Sequence, residues 1–254
     1  MRPLLVVEHE ADAGAGRLAA VWAAAGPLDV RRPYAGDAIP GDAADHAGVV
    51  VLGGEVAAWE DDRAPWLPAT RRLLARATAD GAPVLGICLG AQLLTLALGG
   101  KAERGDAGLE VGLTGVRVLP GAGREDPLLA GVLGAVAEAP VPANGTSNGF
   151  SPDFLVPQFH RDAITELPAD AELLAVGEVY GIQAFRVGER AWGVQYHPEV
   201  TDDDFAEWTR GGHASLVAEG HDPAALLASV TSASGYLDTV AAAHAGGFGA
   251  IPAR

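Results

Sequence analysis

Apolar positions in this chain fall into short dense runs separated by longer stretches that carry one apolar face. Residues 3–7, 47–52 and 84–87 are dominated by Leu, Val and Ile next to Gly or Pro, as in strands buried on both faces of a parallel sheet. Val30 marks a short second strand. Between the runs, residues 14–25 place Leu18, Val21 and Trp22 on one helical face. Residues 65–80 read as a second helix, and 92–98 as a third closed by Gly99 and Gly100. The acids of 59–63 are expected to lend favourable charge to the start of the 65–80 helix. Alternation over 115–119 fits a half-buried strand, and 171–176, 182–187 and 191–196 complete the strands. Thr201 and three aspartates open a helix running to about residue 217. A final helix or pair over roughly 223–244 precedes a glycine-rich tail with little to hold it in place. Residues 134–157, rich in Gly, Pro, Ser and Asn, read as a loop. Strands alternating with helices predict an α/β fold of three layers, a central mostly parallel sheet flanked by helices. A single domain over 1–254 is expected, with a core at about 1–210 and a helical extension at about 211–254.

Chemistry concentrates at the bend after the 84–87 strand. Gly86-Ile87-Cys88-Leu89-Gly90 joins that strand to a helix and reproduces the strand–turn–helix elbow that holds a nucleophile clear of the backbone. The helix start beneath the sulfur favours thiolate over thiol, and its free amides can meet an oxyanion. An inert buried cysteine fits the elbow about as well, since free cysteine behaves as a small hydrophobe. The 191–196 strand then ends in His197-Pro198-Glu199. Extended geometry puts His197 and Glu199 on one side of the chain, where the carboxylate can orient an imidazole able to take the Cys88 proton. Paired Gly53 and Gly54 follow another parallel strand, a position where backbone amides approach ligands.

Gly-Ile-Cys-Leu-Gly-Ala-Gln (86–92) together with Gln-Tyr-His-Pro-Glu-Val (195–200) resembles the class I, or triad, glutamine amidotransferases, and most of all stand-alone relatives of the GMP synthase amidotransferase domain. The resemblance covers about residues 4–210 and implies a flavodoxin-like fold. It implies attack of Cys88 on the side-chain amide of glutamine, a γ-glutamyl thioester and release of ammonia, with His197 and Glu199 completing the triad. On this resemblance the amides near Gly54 and Leu89 form the oxyanion hole, and the Gly53–Gly54 loop and Gln92 contact substrate. Phe159, His160 and Asp162 match an aromatic-His-x-Asp segment that lines the substrate pocket. Glu110-Val111-Gly112 resembles a supporting Glu-x-Gly. Glu55 departs from the pattern, where relatives carry Pro or Met, and is expected to face solvent because an inward carboxylate would oppose an oxyanion. The 134–157 segment looks like an insertion, either a lid beside the pocket or a plain surface loop.

Composition narrows the alternatives. A net charge of −16 provides no basic stripe for phosphate backbones, so nucleic acid is not an expected partner. Lys101 is the only lysine, which leaves little room for Schiff-base chemistry. One cysteine excludes an internal disulfide and a multi-cysteine metal site. The 8–12 loop (Glu-His-Glu-Ala-Asp) clusters metal-ligand types, but helix capping is the better expectation, so no metal and no cofactor are expected. No membrane span or signal peptide is legible, and a cytoplasmic location is expected. No nucleotide fingerprint is present, so an ATP-using half is not expected here. Three functions stay open: a glutaminase or amidotransferase subunit serving a synthase subunit, a hydrolase of another γ-glutamyl compound, and a catalytically silent binding protein.

Overall fold

Alternate strand residues feed two separate cores, and that alternation sets the architecture. The chain was described from a computed structural model covering residues 1–139 and 150–251. Its first half runs β1 (Leu4–Val7), α1 (Gly16–Ala25), β2 (Leu28–Arg31), β3 (Gly48–Val51), α2 (Leu67–Ala79), β4 (Val84–Ile87), α3 (Leu89–Ala97) and β5 (Lys101–Arg104). It continues with β6 (Glu110–Val118), α4 (Ala122–Glu125), α5 (Pro127–Val136), β7 (Phe154–His160), β8 (Asp162–Glu166), β9 (Ala171–Gly177), β10 (Ala184–Val187) and β11 (Ala191–Val194). The last elements are α6 (Asp202–Gly211), α7 (His213–Ala218), α8 (Pro223–Thr231) and α9 (Ser234–Gly249).

The main sheet has the order β2-β1-β3-β4-β11-β10-β9-β6-β7. The strands from β2 to β11 are parallel, and those from β11 to β7 pair antiparallel. A separate ribbon pairs β5 with β8. Val6, Val50, Leu85 and Ile87 point to a core shared with α1, α5 and α9. Leu5, Val7, Val49, Val51 and Val84 point to the other, under α2 and α3. Burial on both faces is why these strands read as continuous apolar runs. The three-layer α/β fold expected from the pattern is the fold observed.

Several local expectations fail for identifiable reasons. The 134–157 segment is not wholly loop: α5 reaches Val136 and β7 starts at Phe154, and residues 140–149 lie outside the described residues. The glycines at 246–249 belong to α9 rather than to a loose tail. A Cβ at Gly247 would stand only 3.0 Å from the Pro127 carbonyl, so the missing side chain lets α9 close on α5, while Phe248 packs edge-on against Trp22. The 8–12 loop caps nothing, for α1 starts at Gly16 without a side-chain cap. Glu8 instead pairs with Arg32 at 2.7 Å, and His9 accepts from Trp66 at 2.9 Å. The acids of 59–63 are likewise outside the first turn of α2; Asp61 holds Arg71 and Glu60 accepts the Ala57 amide. By contrast Thr201 and Asp204 form the reciprocal cap that the threonine and aspartates led us to expect at α6.

Candidate active site

Close backbone packing creates the bend at Cys88. The 92–98 helix proves to begin at Leu89, directly after the cysteine. Gly86 and Gly90 face one another across it: a Cβ on Gly86 would overlap the Gly90 carbonyl, and one on Gly90 would overlap the Val51 carbonyl of β3. The turn between them is forced tight, and Cys88 takes φ 50° and ψ −107°, the one non-glycine residue with positive φ among the described residues. Such a conformation costs about 1–3 kcal/mol and persists only where the surroundings impose it. Its amide is anchored to the Val194 carbonyl of β11 at 2.8 Å, and the first amides of α3 have no intrahelical partner.

The second segment arrives from β11. Gln195, His197 and Glu199 are buried, and the Nδ1 of His197 bonds Glu199 Oε1 at 2.7 Å. With Nδ1 occupied, Nε2 is the free nitrogen; it is buried with no hydrogen-bond partner of its own, and the Cys88 sulfur interacts with the same ring. Burial is the largest influence on this imidazole and opposes its protonation. The Cys88 and Glu199 charges outweigh it and raise the pKa to about 10. The arrangement sets an imidazole that holds its proton firmly beside the elbow sulfur.

Remote parts of the fold fix this segment. The His197 amide bonds Pro157 of β7, and the Trp208 ring of α6 packs against the imidazole at 5.0 Å. The Glu199 carbonyl accepts from the Arg17 amide at 2.7 Å, and the Arg17 side chain bonds the Val200 carbonyl and Asp202. Tyr196 bonds His244 of α9 at 2.9 Å.

A cavity of about 430 Å³ opens over Cys88 and His197. Gly54, Gln92, Phe159, His160 and Asp162 line it. Gly53 and Leu89 are not on its wall. Gly53 lies behind, where a Cβ would stand 3.0 Å from His197 Cε1, and the Leu89 side chain belongs to the core under α3, leaving only backbone to face the bend. Gln92 is committed within the fold: its Nε2 donates to the Asp162 carbonyl at 3.0 Å and to Gln195 Oε1 at 3.3 Å. His160 Nε2 stands 3.2 Å from the buried Glu110 carboxylate, which gives the Glu-x-Gly segment its supporting place. Asp162 pairs with Arg104 at 2.5 Å; burial raises its pKa and the arginine acts against that rise.

Sequence reasoning missed Gln195, whose Nε2 donates to the Cys88 sulfur at 3.6 Å. The same two-residue alternation that joined His197 to Glu199 extends back to it. It also missed Glu10, which lines the cavity and accepts the Glu55 amide at 2.6 Å. Glu55 is exposed, yet it also lines the cavity, so the expectation that it turns away from the site holds only for its exposure.

Fold and site together define an α/β protein, its sheet parallel from β2 to β11, with an elbow cysteine beside a buried His–Glu pair. The family model for glutamine amidotransferase class-I matches residues 37–208, and the chain belongs to that family. Over 120 residues it is 32% identical to γ-glutamyl peptidase 3 of Arabidopsis thaliana, covering 47% of this chain and 42% of that one. Over 119 residues it is 39% identical to the glutamine-hydrolysing GMP synthase of Porphyromonas gingivalis, covering 46% and 19%. The chain thus spans less than half the length of either relative. A glutamine amidotransferase structure from Thermotoga maritima superposes with a TM-score of 0.80 at 22% identity, covering 99% of this chain and 100% of that one, a likeness of fold. No helix among the described residues is long and apolar enough to cross a membrane, and those residues hold no cluster of three or more metal-ligating side chains.

Proposed function

We propose that this chain hydrolyses a γ-glutamyl amide bond through a thioester on Cys88. The observation that carries the reading is the strained Cys88 elbow and the buried His197–Glu199 pair opening into one cavity beside a glycine loop. His197 holds the thiol proton while the sulfur attacks the γ-carbonyl. The oxyanion meets the amides near Gly54 and Leu89, and collapse breaks the C–N bond as His197 passes its proton to the departing nitrogen. Water, deprotonated by His197, then cleaves the thioester, and the proton returns to sulfur as glutamate leaves. Phe159, His160 and Asp162 shape the glutamyl end of the pocket, and Gln92 holds the Asp162 turn and Gln195 in place.

One relative is named for a γ-glutamyl peptidase and the other for glutamine hydrolysis, so both names point to a γ-glutamyl bond and differ in what leaves it. We favour a self-sufficient hydrolase. The similarity to a glutamine-hydrolysing GMP synthase supports a second reading, in which the chain supplies ammonia to a synthase partner. Purified chain is assayed for glutamate release from glutamine and a panel of γ-glutamyl amides, with and without the Cys88→Ala substitution. Hydrolysis that vanishes in the variant, with a γ-glutamyl adduct trapped on Cys88, supports the mechanism; release that survives the substitution overturns it. Activity that appears only after a synthase subunit is added replaces the first reading with the second.

A further inference from the structure

Besides the His197 ring, Gln195 reaches the Cys88 sulfur, through Nε2 at 3.6 Å. A glutamine amide ends in an NH2 that only donates and an oxygen that only accepts, and the two differ little in shape. Turned over, Gln195 would set its oxygen lone pairs against those of the sulfur and push the sulfur from its place beside the ring. The shape of the amide does not prevent that reversal, so its partners must. Gln195 Oε1 accepts from Gln92 Nε2 at 3.3 Å, and the same nitrogen donates to the Asp162 backbone carbonyl at 3.0 Å. An amide nitrogen carries two hydrogens, and Gln92 has committed both. The Asp162 carbonyl can only accept. Backbone fixes it, since Asp162 pairs with Arg104 in the β5–β8 ribbon, and His160 Nδ1 donates to the same oxygen at 3.0 Å.

The hydrogen bonds therefore run one way, from Gln195 to sulfur at one end and from Gln92 to a backbone carbonyl that cannot be reversed at the other. Reversing Gln92 would put its oxygen against the Asp162 oxygen, and reversing Gln195 alone would put NH2 against NH2. Gln92 and Gln195 are 3% and 1% exposed, so water does not repair either error. We propose that Gln92 is a positioning residue for the nucleophile: it takes its direction from the Asp162 carbonyl and holds the Gln195 amide with its N–H toward Cys88. This rests on the hydrolase reading above and departs from the resemblance, which assigns Gln92 to the substrate. Gln92 borders the cavity, but with both hydrogens committed it has no donor left for a substrate carboxylate or carbonyl. The pocket wall at 160–162 and the reacting sulfur are thereby joined through α3 and the segment after β11.

The test is a double-mutant comparison with two readouts: the rate of Cys88 alkylation by iodoacetamide, a small neutral reagent, and kcat and KM for glutamine or another γ-glutamyl amide. Gln92→Glu cannot supply two hydrogens, so Gln195 loses the partner that orients it. The expected result is a fall of about tenfold in both alkylation and kcat with little change in KM. In a Gln195→Met background the same substitution is expected to change neither, because no amide remains to be oriented. Gln92→Met, which brings no charge into the core, is expected to lower both rates by about threefold and carries the same comparison if the glutamate variant does not fold. A raised KM with alkylation unchanged overturns the proposal and returns Gln92 to the substrate. A loss of rate that persists in the Gln195→Met background overturns it in favour of a general structural role. Failure to cleave any γ-glutamyl compound removes the hydrolase reading, while the alkylation comparison still decides the role of Gln92.

Discussion

The two segments that meet in the cavity are held by opposite means. Residues 86–92 are set by backbone: glycine against glycine, helix against strand, with Cys88 bent into positive φ between them. Residues 195–200 are set by side chains and distant partners, through Arg17, Pro157, Trp208 and His244. The geometry of the Cys88 bend is therefore a matter of close backbone packing that tolerates no added atoms. The geometry of the His197 segment is a property of the assembled fold, built from buried polar groups that are costly unless each finds its partner.

With Cys88 left in place, the largest effects on rate fall on the second segment. His197→Asn is expected to lower the single-turnover rate by about a thousandfold or more, and Glu199→Gln by about a hundredfold, since the carboxylate orients the ring without transferring the proton. Thermal unfolding run in parallel separates lost chemistry from lost fold. An unaffected rate in the histidine variant would break the comparison outright.

On the first segment the cost appears in stability. Gly90→Ala drives a methyl into the Val51 carbonyl and is expected to destabilise by about 3 kcal/mol in denaturant titration. Cys88→Gly should move stability the other way, by about 1 kcal/mol, because it relieves the positive φ while removing the nucleophile. A destabilised Cys88→Gly would mean that the bend is not strained.

Gln195 joins the two segments. Removing its N–H···S bond by Gln195→Ala is expected to lower kcat by about tenfold with little change in KM. The rate of Cys88 alkylation should fall in step, because the amide N–H is directed at the sulfur that reacts. A purely structural role would leave the alkylation profile unmoved.

The last effect, on pH dependence rather than on rate, belongs to two histidines outside the reaction. Burial lowers the pKa of His9 and of His244 to about 4, so each folds neutral while the unfolded chain protonates near 6.5. Their contribution is complete above pH 6.5 and is lost as pH falls from there towards 4. The slope reaches about 1.4 kcal/mol per pH unit for each proton taken up. His244→Gln should flatten the acid limb of a stability–pH curve. An unchanged slope would show that other groups govern acid lability.

Much of this was legible in the chain. The apolar runs at 47–52 and 84–87 read as buried strands because each is covered on both faces. Gly86, Cys88 and Gly90 read as an elbow because its cause lies within five residues. His197 and Glu199 could be paired because extended chain repeats every two residues. The 8–12 loop was misread as a cap because its real partners, Arg32, Trp66 and the Glu55 amide, are remote in sequence. The α9 glycines looked like a loose end because nothing local announces the packing of α5 against them.

By itself the sequence determined the fold class, the elbow at Cys88 and the placing of His197 and Glu199 on one side of a strand end, since each follows from periodicity or from sterics over a few residues. Only the tertiary structure decided that Gln195 reaches the sulfur, that Gln92 spends its amide on Asp162 and Gln195, and that Glu10 accepts the Glu55 amide beside the cavity. Those facts depend on which side chains compete for one partner in space. A hydrogen bond or charge pair is settled by the whole set of neighbours, which the order of residues along the chain does not contain.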